Sequence, residues 1–183
     1  GGDLYGAWQL PGGAVAVVIG DVVGKGVETA ALSAMARFFI EAASWDRDDP
    51  AAVLGHVSAM LAQRLPSERF VTAFFGLLDR RGLRYANAGH LAPLVVRSDG
   101  ELSETATGGL PLGIDPEPGY AVHRLDLGPD DLLVGYTDGI LEARRDGELL
   151  GGDRLRRMVG EACATTREPE TLAELLHDGV RAW

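Results

Sequence analysis

Residues 14–27 read AVAVVIGDVVGKGV, and this segment indicates how the first part of the chain folds. Its apolar run, residues 14–19, has the length of a buried strand, and Asp21 follows directly after Gly20. A glycine lets the backbone turn sharply and lets another atom come close. A carboxylate in such a place is stable when a positive group pairs with it. Asp21 is therefore a candidate ligand for a cation.

The segments on either side predict a hairpin and two helices. Residues 4–10 are strand-like, and Pro-Gly-Gly at 11–13 predicts a tight turn between that strand and the next. Apolar residues recur at helical spacing from 27 to about 44, which predicts a long helix. Asp49-Pro50 is typical of a helix start, and the stripe that follows predicts a second helix to about residue 65.

The rest of the chain predicts antiparallel strands followed by helices. The expected strands are residues 70–79, 83–88, 91–97, 122–127 and 132–136, and the expected helices are 153–163 and 169–181. This order predicts an α+β fold in which two antiparallel β-sheets pack as a sandwich flanked by helices. We expect one domain over residues 1–183.

Composition excludes several classes of function. The formal net charge of −10 argues against a nucleic-acid partner, since phosphate-backbone binding needs a basic face. No apolar run approaches the roughly 20 residues that span a bilayer, so no membrane insertion is expected in this segment. Cys163 is the one cysteine, which favours a reducing, cytoplasmic setting. We expect Cys163 to be a small buried helix residue.

Three aspartates stand next to glycine at the ends of apolar segments. They are Asp3 after Gly1-Gly2, Asp21, and Asp138 before Gly139. Carboxylate oxygens together with water are the ligands that Mg²⁺ or Mn²⁺ prefers. Taken singly, an aspartate beside a glycine is most often a turn residue. Asp21 and Asp138 differ in that each directly follows a strongly apolar run, with a helix expected behind it.

The chain resembles a known family over nearly its whole length. The segment Gly20-Asp21-Val22-Val23-Gly24-Lys25-Gly26-Val27 resembles the first signature of bacterial phosphatases of the sporulation stage II protein E type. These belong to the PPM class, which is similar to protein phosphatase 2C. The resemblance continues, in the family's order and spacing, in residues 1–5, 70–76, 85–90, 109–114 and 136–143.

The resemblance implies a two-metal hydrolase that uses Mn²⁺ or Mg²⁺. Asp21 would bridge both ions, Asp138 would bind one, and Asp3 would bind the other beside the backbone carbonyl of Val22. Two such cations acidify a bridging water, and the resulting hydroxide attacks the phosphoryl group in line without a phosphoenzyme. Asp21 and Asp138 are thus the expected catalytic residues. The implied substrate is phosphoserine or phosphothreonine on a protein, in this family usually an anti-sigma-factor antagonist in a partner-switching pathway.

Two departures from the family pattern affect what we expect. The family carries a further aspartate near its C-terminus and a strand before the position of Gly1, and neither is found in this sequence. Gly6 also stands where the family often has aspartate. We therefore expect a domain truncated at both ends, with terminal strands missing and weaker binding of at least one ion. Open sheet edges could also pair with a neighbouring copy and give a dimer.

Other interpretations remain open from the sequence. A non-catalytic pseudophosphatase that binds a partner, or a phosphatase for small molecules, would use the same fold. Lys25 is either a solvated loop residue or a contact for substrate phosphate. Asn87 and His90 are either hydrogen-bonded turn residues or, for His90, a group for proton transfer or substrate positioning. A phosphate-binding Walker loop is excluded, because no Ser or Thr follows Lys25, and the four histidines show no zinc spacing.

Overall fold

The computed structural model describes residues 1–66 and 68–183, which form two compact units. Unit 1 comprises Gly1–Ala92 and Ala106–Asp126, and unit 2 comprises Pro93–Thr105 and Leu127–Trp183. In chain order the elements are β1 (Leu4–Gln9), β2 (Val15–Val22), α1 (Val27–Ser44), α2 (Pro50–Ala62), β3 (Val71–Asp79), β4 (Gly82–Ala88), β5 (Leu94–Val96), β6 (Leu102–Glu104), β7 (His123–Leu125), β8 (Leu132–Val134), α3 (Asp138–Leu141), β9 (Arg144–Arg145), β10 (Glu148–Leu149), α4 (Gly151–Thr165) and α5 (Pro169–Ala182).

Unit 1 is built on a five-stranded antiparallel sheet in the order β1-β2-β3-β4-β7. The predicted hairpin between β1 and β2 is confirmed, and Gly13 N donates to Leu10 O at 3.0 Å within its turn. Gly12 and Gly13 have φ angles of 93° and 90°, which side chains disfavour and glycine adopts freely. The Pro-Gly-Gly turn therefore fixes the register of β1 against β2, the strand that contains Asp21.

The helices of unit 1 bury one apolar stripe each in the core of this unit. In α1 the buried residues include Leu32, Ala36 and Ile40, which recur at helical spacing. The predicted start of α2 is confirmed, because the Asp49 side chain accepts a hydrogen bond from Ala52 N at 3.0 Å. A cap of this kind contributes about 1 kcal/mol. The loop between β2 and α1, residues 23–26, directly follows the end of β2 that carries Asp21.

Unit 2 combines a three-stranded antiparallel sheet, in the order β6-β5-β8, with a two-stranded hairpin and three helices. Helix α4 buries Leu155, Val159 and Cys163, which lie on one face at spacings of four. They pack in a second hydrophobic core with Leu94 of β5 and Leu172 of α5. None of the helices in the described part of the chain is both long and apolar enough to span a membrane.

The α+β class with antiparallel sheets is confirmed, and the differences lie at element ends. The strand predicted at 91–97 is limited to Leu94–Val96, because Pro93 cannot donate to a ladder and restricts the residue before it. The strand predicted at 132–136 ends at Val134, before Gly135. Helix α2 ends at Ala62, three residues before its predicted end. The short strands β6, β9 and β10 were not predicted, whereas the helix expected behind the apolar run at Asp138 is present as α3.

Asp131 gives unit 2 a specific acid sensitivity. Its carboxylate accepts hydrogen bonds from the N–H groups of Gly128 at 2.9 Å and Ser98 at 2.8 Å, and pairs with Arg97 at 2.8 Å. The Gly128 N–H and then the Arg97 guanidinium lower the pKa of Asp131 to about 2. Because this pKa lies below the unfolded value of 3.8, the stabilisation is present above about pH 4 and is lost as pH falls towards 2.

We therefore expect Asp131→Asn to be less stable than the parent protein at pH 7 and to lose less stability between pH 4 and pH 2. Denaturant unfolding at a series of pH values measures both effects. Asp146→Asn is the matched control, since the Asp146 side chain is 95% exposed in the β9–β10 turn. Equal slopes for Asp131→Asn and the parent protein would contradict the assignment.

Candidate metal centre

Asp21 lies near the end of β2 and faces Thr72 of β3 in the strand register. Gly20 permits this close pairing, because a methyl group on Gly20 would overlap the Thr72 carbonyl oxygen. The Thr72 hydroxyl lies 3.3 Å from both the backbone N and the backbone O of Asp21. The backbone that carries the Asp21 carboxylate is therefore held from the neighbouring strand.

Gly2 packs closely against two oxygen atoms of β2. A methyl group on Gly2 would overlap the carbonyl oxygen of Val22 and lie 2.8 Å from Oδ1 of Asp21. The Val22 N–H donates to the Gly2 carbonyl at 3.1 Å, which ties the start of the chain to this place. One oxygen of the Asp21 carboxylate and the carbonyl oxygen of Val22 thus both lie beside Gly2, where a side chain would collide with them.

Asp3 follows Gly2 directly and is held through its backbone. Ser33 of α1 donates from Oγ to the Asp3 carbonyl at 2.8 Å, and Ser33 is 7% exposed. The Asp3 side chain itself is exposed. This places a third oxygen-bearing residue next to the Gly2 position in sequence, with its carboxylate accessible to solvent.

Asp138 lies in unit 2, where it is the first residue of the short helix α3. Its side chain is exposed, and its backbone carbonyl accepts the N–H of Glu142 at 2.8 Å. The expected strand-then-helix setting is present, since β8 ends four residues before Asp138.

A buried polar network lies behind Asp21 in unit 1. The Thr72 hydroxyl contacts Nδ1 of His90 at 3.0 Å. The Asn87 side chain accepts from His90 N at 2.7 Å and donates to His90 O at 3.0 Å. Asn87 and His90 are each 5% exposed. Both residues are hydrogen-bonded, as the interpretation as hydrogen-bonded turn residues expects. The network reaches the backbone of Asp21 through Thr72.

Arg69 is a residue that the sequence did not single out. Its guanidinium pairs with Glu28 at 3.0 Å and contacts the Thr29 hydroxyl at 3.4 Å. A methyl group on Gly24 would lie 3.9 Å from Nη1 of Arg69, so this cation lies beside the loop that follows Asp21. Lys25 in the same loop is exposed. Arg69 is separated from Glu28 by 41 positions in sequence, so no local motif could have indicated it.

The two oxygen atoms beside Gly2 are of the kind that a hard divalent cation binds. A carboxylate and a backbone carbonyl are ligands that Mg²⁺ and Mn²⁺ accept, with water at the remaining positions. Within residues 1–66 and 68–183, no group of three or more His, Cys, Asp or Glu side chains is arranged to hold a metal ion. The fit therefore rests on one side chain and one carbonyl in unit 1.

Cys163 is buried in α4, as predicted, and offers no alternative nucleophile. It is 4% exposed, and burial raises the pKa of its thiol. The thiolate is the reactive form of cysteine, so a raised pKa keeps this group inert at neutral pH. A hydrolytic site in this chain therefore does not depend on Cys163.

The fold is shared with solved phosphatase structures. The chain superposes on the PP2C phosphatase domain of SpoIIE from Bacillus subtilis with a TM-score of 0.82 at 21% identity, over 98% of this chain and 52% of that one. It also superposes on RsbX in complex with magnesium, with a TM-score of 0.71 at 15% identity, over 96% of this chain and 78% of that one. At these identities the similarity shows the fold.

Sequence comparison extends the similarity to a family. Phosphoserine phosphatase RsbU of Bacillus subtilis is 26% identical over 156 residues, which cover 83% of this chain and 47% of that protein. The chain spans less than half the length of the curated relatives it matches first. The family model described as Stage II sporulation protein E matches residues 11–182. The chain therefore belongs to the stage II sporulation protein E (SpoIIE) family.

Proposed function

We propose that this chain is a metal-dependent phosphatase domain that hydrolyses phosphoserine or phosphothreonine on a protein. The observation that carries the proposal is the convergence of the Asp21 carboxylate and the Val22 carbonyl on Gly2, in a chain of the SpoIIE family. The similarity to RsbU, whose name is phosphoserine phosphatase, supports the reaction class. The proposal treats residues 1–183 as one phosphatase domain.

The proposed ligands of the two ions are Asp3, Asp21, the Val22 carbonyl and Asp138. Asp21 and Val22 are supported by the position of their two oxygen atoms beside Gly2, whereas Asp138 is proposed from the family resemblance alone. Bound Mn²⁺ or Mg²⁺ would supply positive charge for the phosphoryl oxygens and would acidify water. The magnesium in the RsbX structure is consistent with this choice of metal.

Residues of this chain would hold the metal ligands in place and bind the phosphoryl group of the substrate. Asp21 is held by β3, and Asp3 is held by Ser33 of α1, so both carboxylates have ordered backbones. Arg69, beside Gly24, supplies a cation near the loop that follows Asp21. A phosphoryl group carries negative charge, and a guanidinium offers donors that suit it. Because no described cysteine is activated, we expect no covalent phosphoenzyme.

The proposed substrate is an anti-sigma-factor antagonist phosphorylated on serine or threonine. The resemblance to the sporulation stage II protein E type, in which such an antagonist is the usual substrate, supports a regulatory phosphoprotein rather than a metabolite. The single cysteine supports a cytoplasmic location, and open sheet edges support pairing of two copies. The substrate, the location and the dimer are parts of the proposal that separate experiments can reject.

The test is phosphate release from a phosphoserine protein with and without Mn²⁺. We expect release that depends on Mn²⁺ and stops when a chelator is added, and slower release from a small phosphoester. Mn²⁺ binding without release would favour a pseudophosphatase that binds a partner. Faster release from the small phosphoester would favour a phosphatase for small molecules. No Mn²⁺ binding and no release would reject the proposed function.

A further inference from the structure

Thr72 stands between the proposed ligand Asp21 and the buried residue His90. Its hydroxyl lies 3.3 Å from the backbone N and O of Asp21 and 3.0 Å from His90 Nδ1. Thr72 lies 51 positions from Asp21 in sequence, and only the register of β2 and β3 brings the two together. The Thr72 side chain therefore connects β2, the strand that carries Asp21, to the buried residue His90.

The chemistry of a hydroxyl decides how these contacts are arranged. A threonine hydroxyl donates one hydrogen bond and accepts two. All three contacts are satisfied when Oγ1 accepts from Asp21 N, accepts from His90 Nδ1–H, and donates to the Asp21 carbonyl. In this arrangement the imidazole carries its proton on Nδ1. The hydroxyl proton is then committed to the backbone of Asp21.

The support behind Thr72 is itself rigid. The Asn87 side chain bonds both the N–H and the carbonyl of His90, at 2.7 Å and 3.0 Å. Asn87 pairs with Phe74 in the β3–β4 ladder, and Phe74 is 1% exposed. Asn87 therefore holds the backbone of His90 in place, and the His90 ring contacts the Thr72 hydroxyl from this buried position.

We propose that Thr72 is a positioning residue that orients the backbone of Asp21 for metal binding. This inference rests on the proposed function, because it requires that Asp21 binds a cation. The peptide units on both sides of Asp21 fix the backbone from which its carboxylate projects, and the second of them leads directly into Val22. Groups that orient metal ligands in this way alter metal affinity although they do not touch the metal.

Three variants separate positioning from general stability. Thr72→Val keeps the branched shape that suits a strand and removes the hydroxyl. Thr72→Ser keeps the hydroxyl and removes one methyl group. Ser44→Ala is the matched control, since the Ser44 hydroxyl is also buried, donates to Glu41 O at 2.7 Å and accepts from Trp8 Nε1 at 3.0 Å. Ser44 ends α1, at the opposite end of this helix from the loop that follows Asp21.

Calorimetric titration with Mn²⁺ and thermal unfolding without metal are the two measurements. We expect Thr72→Val to weaken Mn²⁺ binding by at least about tenfold. Thr72→Ser should bind Mn²⁺ with nearly the affinity of the parent protein. Ser44→Ala should lower the unfolding temperature and leave Mn²⁺ affinity unchanged.

The outcomes distinguish this inference from the proposed function. If the parent protein and Thr72→Val bind Mn²⁺ equally well, the positioning role is overturned and the proposed function stands. If Ser44→Ala weakens Mn²⁺ binding as much as Thr72→Val does, the effect is general destabilisation and the inference is also overturned. If the parent protein binds no Mn²⁺, the proposed function and the inference fail together.

Discussion

Asp21→Asn is expected to abolish the calorimetric signal of Mn²⁺ binding and to slow phosphate release by roughly a thousandfold. Asparagine has the size of aspartate but carries no charge, so the space at Gly2 stays the same while the anionic ligand is lost. Metal ions contribute several kcal/mol to transition-state stabilisation. A loss of about 4 kcal/mol corresponds to roughly a thousandfold in rate. Thermal unfolding without metal should change little, because the backbone contacts of Asp21 remain.

The matched control for this prediction is Asp99→Asn. Asp99 is also followed by glycine, and its Oδ1 accepts from Glu101 N at 3.0 Å in an exposed turn of unit 2. This variant should keep the Mn²⁺ affinity and the rate of the parent protein. Asp21→Asn with unchanged Mn²⁺ affinity would remove Asp21 from the metal site and would contradict the proposed function.

The candidate ligands could be found in the sequence because their signal is local. Asp21 follows an apolar run and a glycine, and the strand and the hairpin turn before it are encoded within about 20 residues. The structure confirms the hairpin, and β2 extends past the predicted end at Gly20 to Val22, so that Asp21 lies within its last two residues. Asp138 likewise follows a short strand and begins a helix. Neighbouring residues determine such settings.

The residues that support the site could not be found in this way, since long-range pairing decides them. Thr72 reads as one polar residue in the apolar strand β3 until the register sets it opposite Asp21. Arg69 reads as a surface charge until it pairs with Glu28 of α1. Gly2 reads as a flexible terminal residue until Val22 and Asp21 pack against it. Contacts between elements distant in sequence carry no short motif.

The apolar pattern predicted some strands to be longer than they are, because it does not show where strand pairing stops. The apolar residues at 91–97 satisfy a strand pattern, but Pro93 restricts the ladder to Leu94–Val96. The short strands β6, β9 and β10 have two or three residues each, too few to show alternation. Their pairing partners hold them in place, and propensity contributes little.

Gly2→Ala should damage the same site without removing any ligand. The new methyl group would overlap the Val22 carbonyl oxygen, lie 2.8 Å from Asp21 Oδ1 and lie 3.1 Å from Thr29 Cγ2. Overpacking of this kind costs about 1–3 kcal/mol of stability. Because the oxygens can escape only by moving away, we also expect Mn²⁺ affinity to fall. A displacement of about 1 Å should slow phosphate release by about a hundredfold.

Gly55→Ala is the matched control, because it makes the same chemical change where space is open. Gly55 lies within α2, and a methyl group there would meet no atom within 4 Å. Alanine in a helix interior is favoured over glycine by about 0.5–1 kcal/mol, so this variant should be slightly more stable than the parent protein and should bind Mn²⁺ equally well. Gly2→Ala with normal Mn²⁺ affinity would show that the close packing at Gly2 does not determine the geometry of the metal site. The Asp21 carboxylate would then have to bind its cation at a position away from Gly2, and the first residues of the chain would have no role in supporting the metal site.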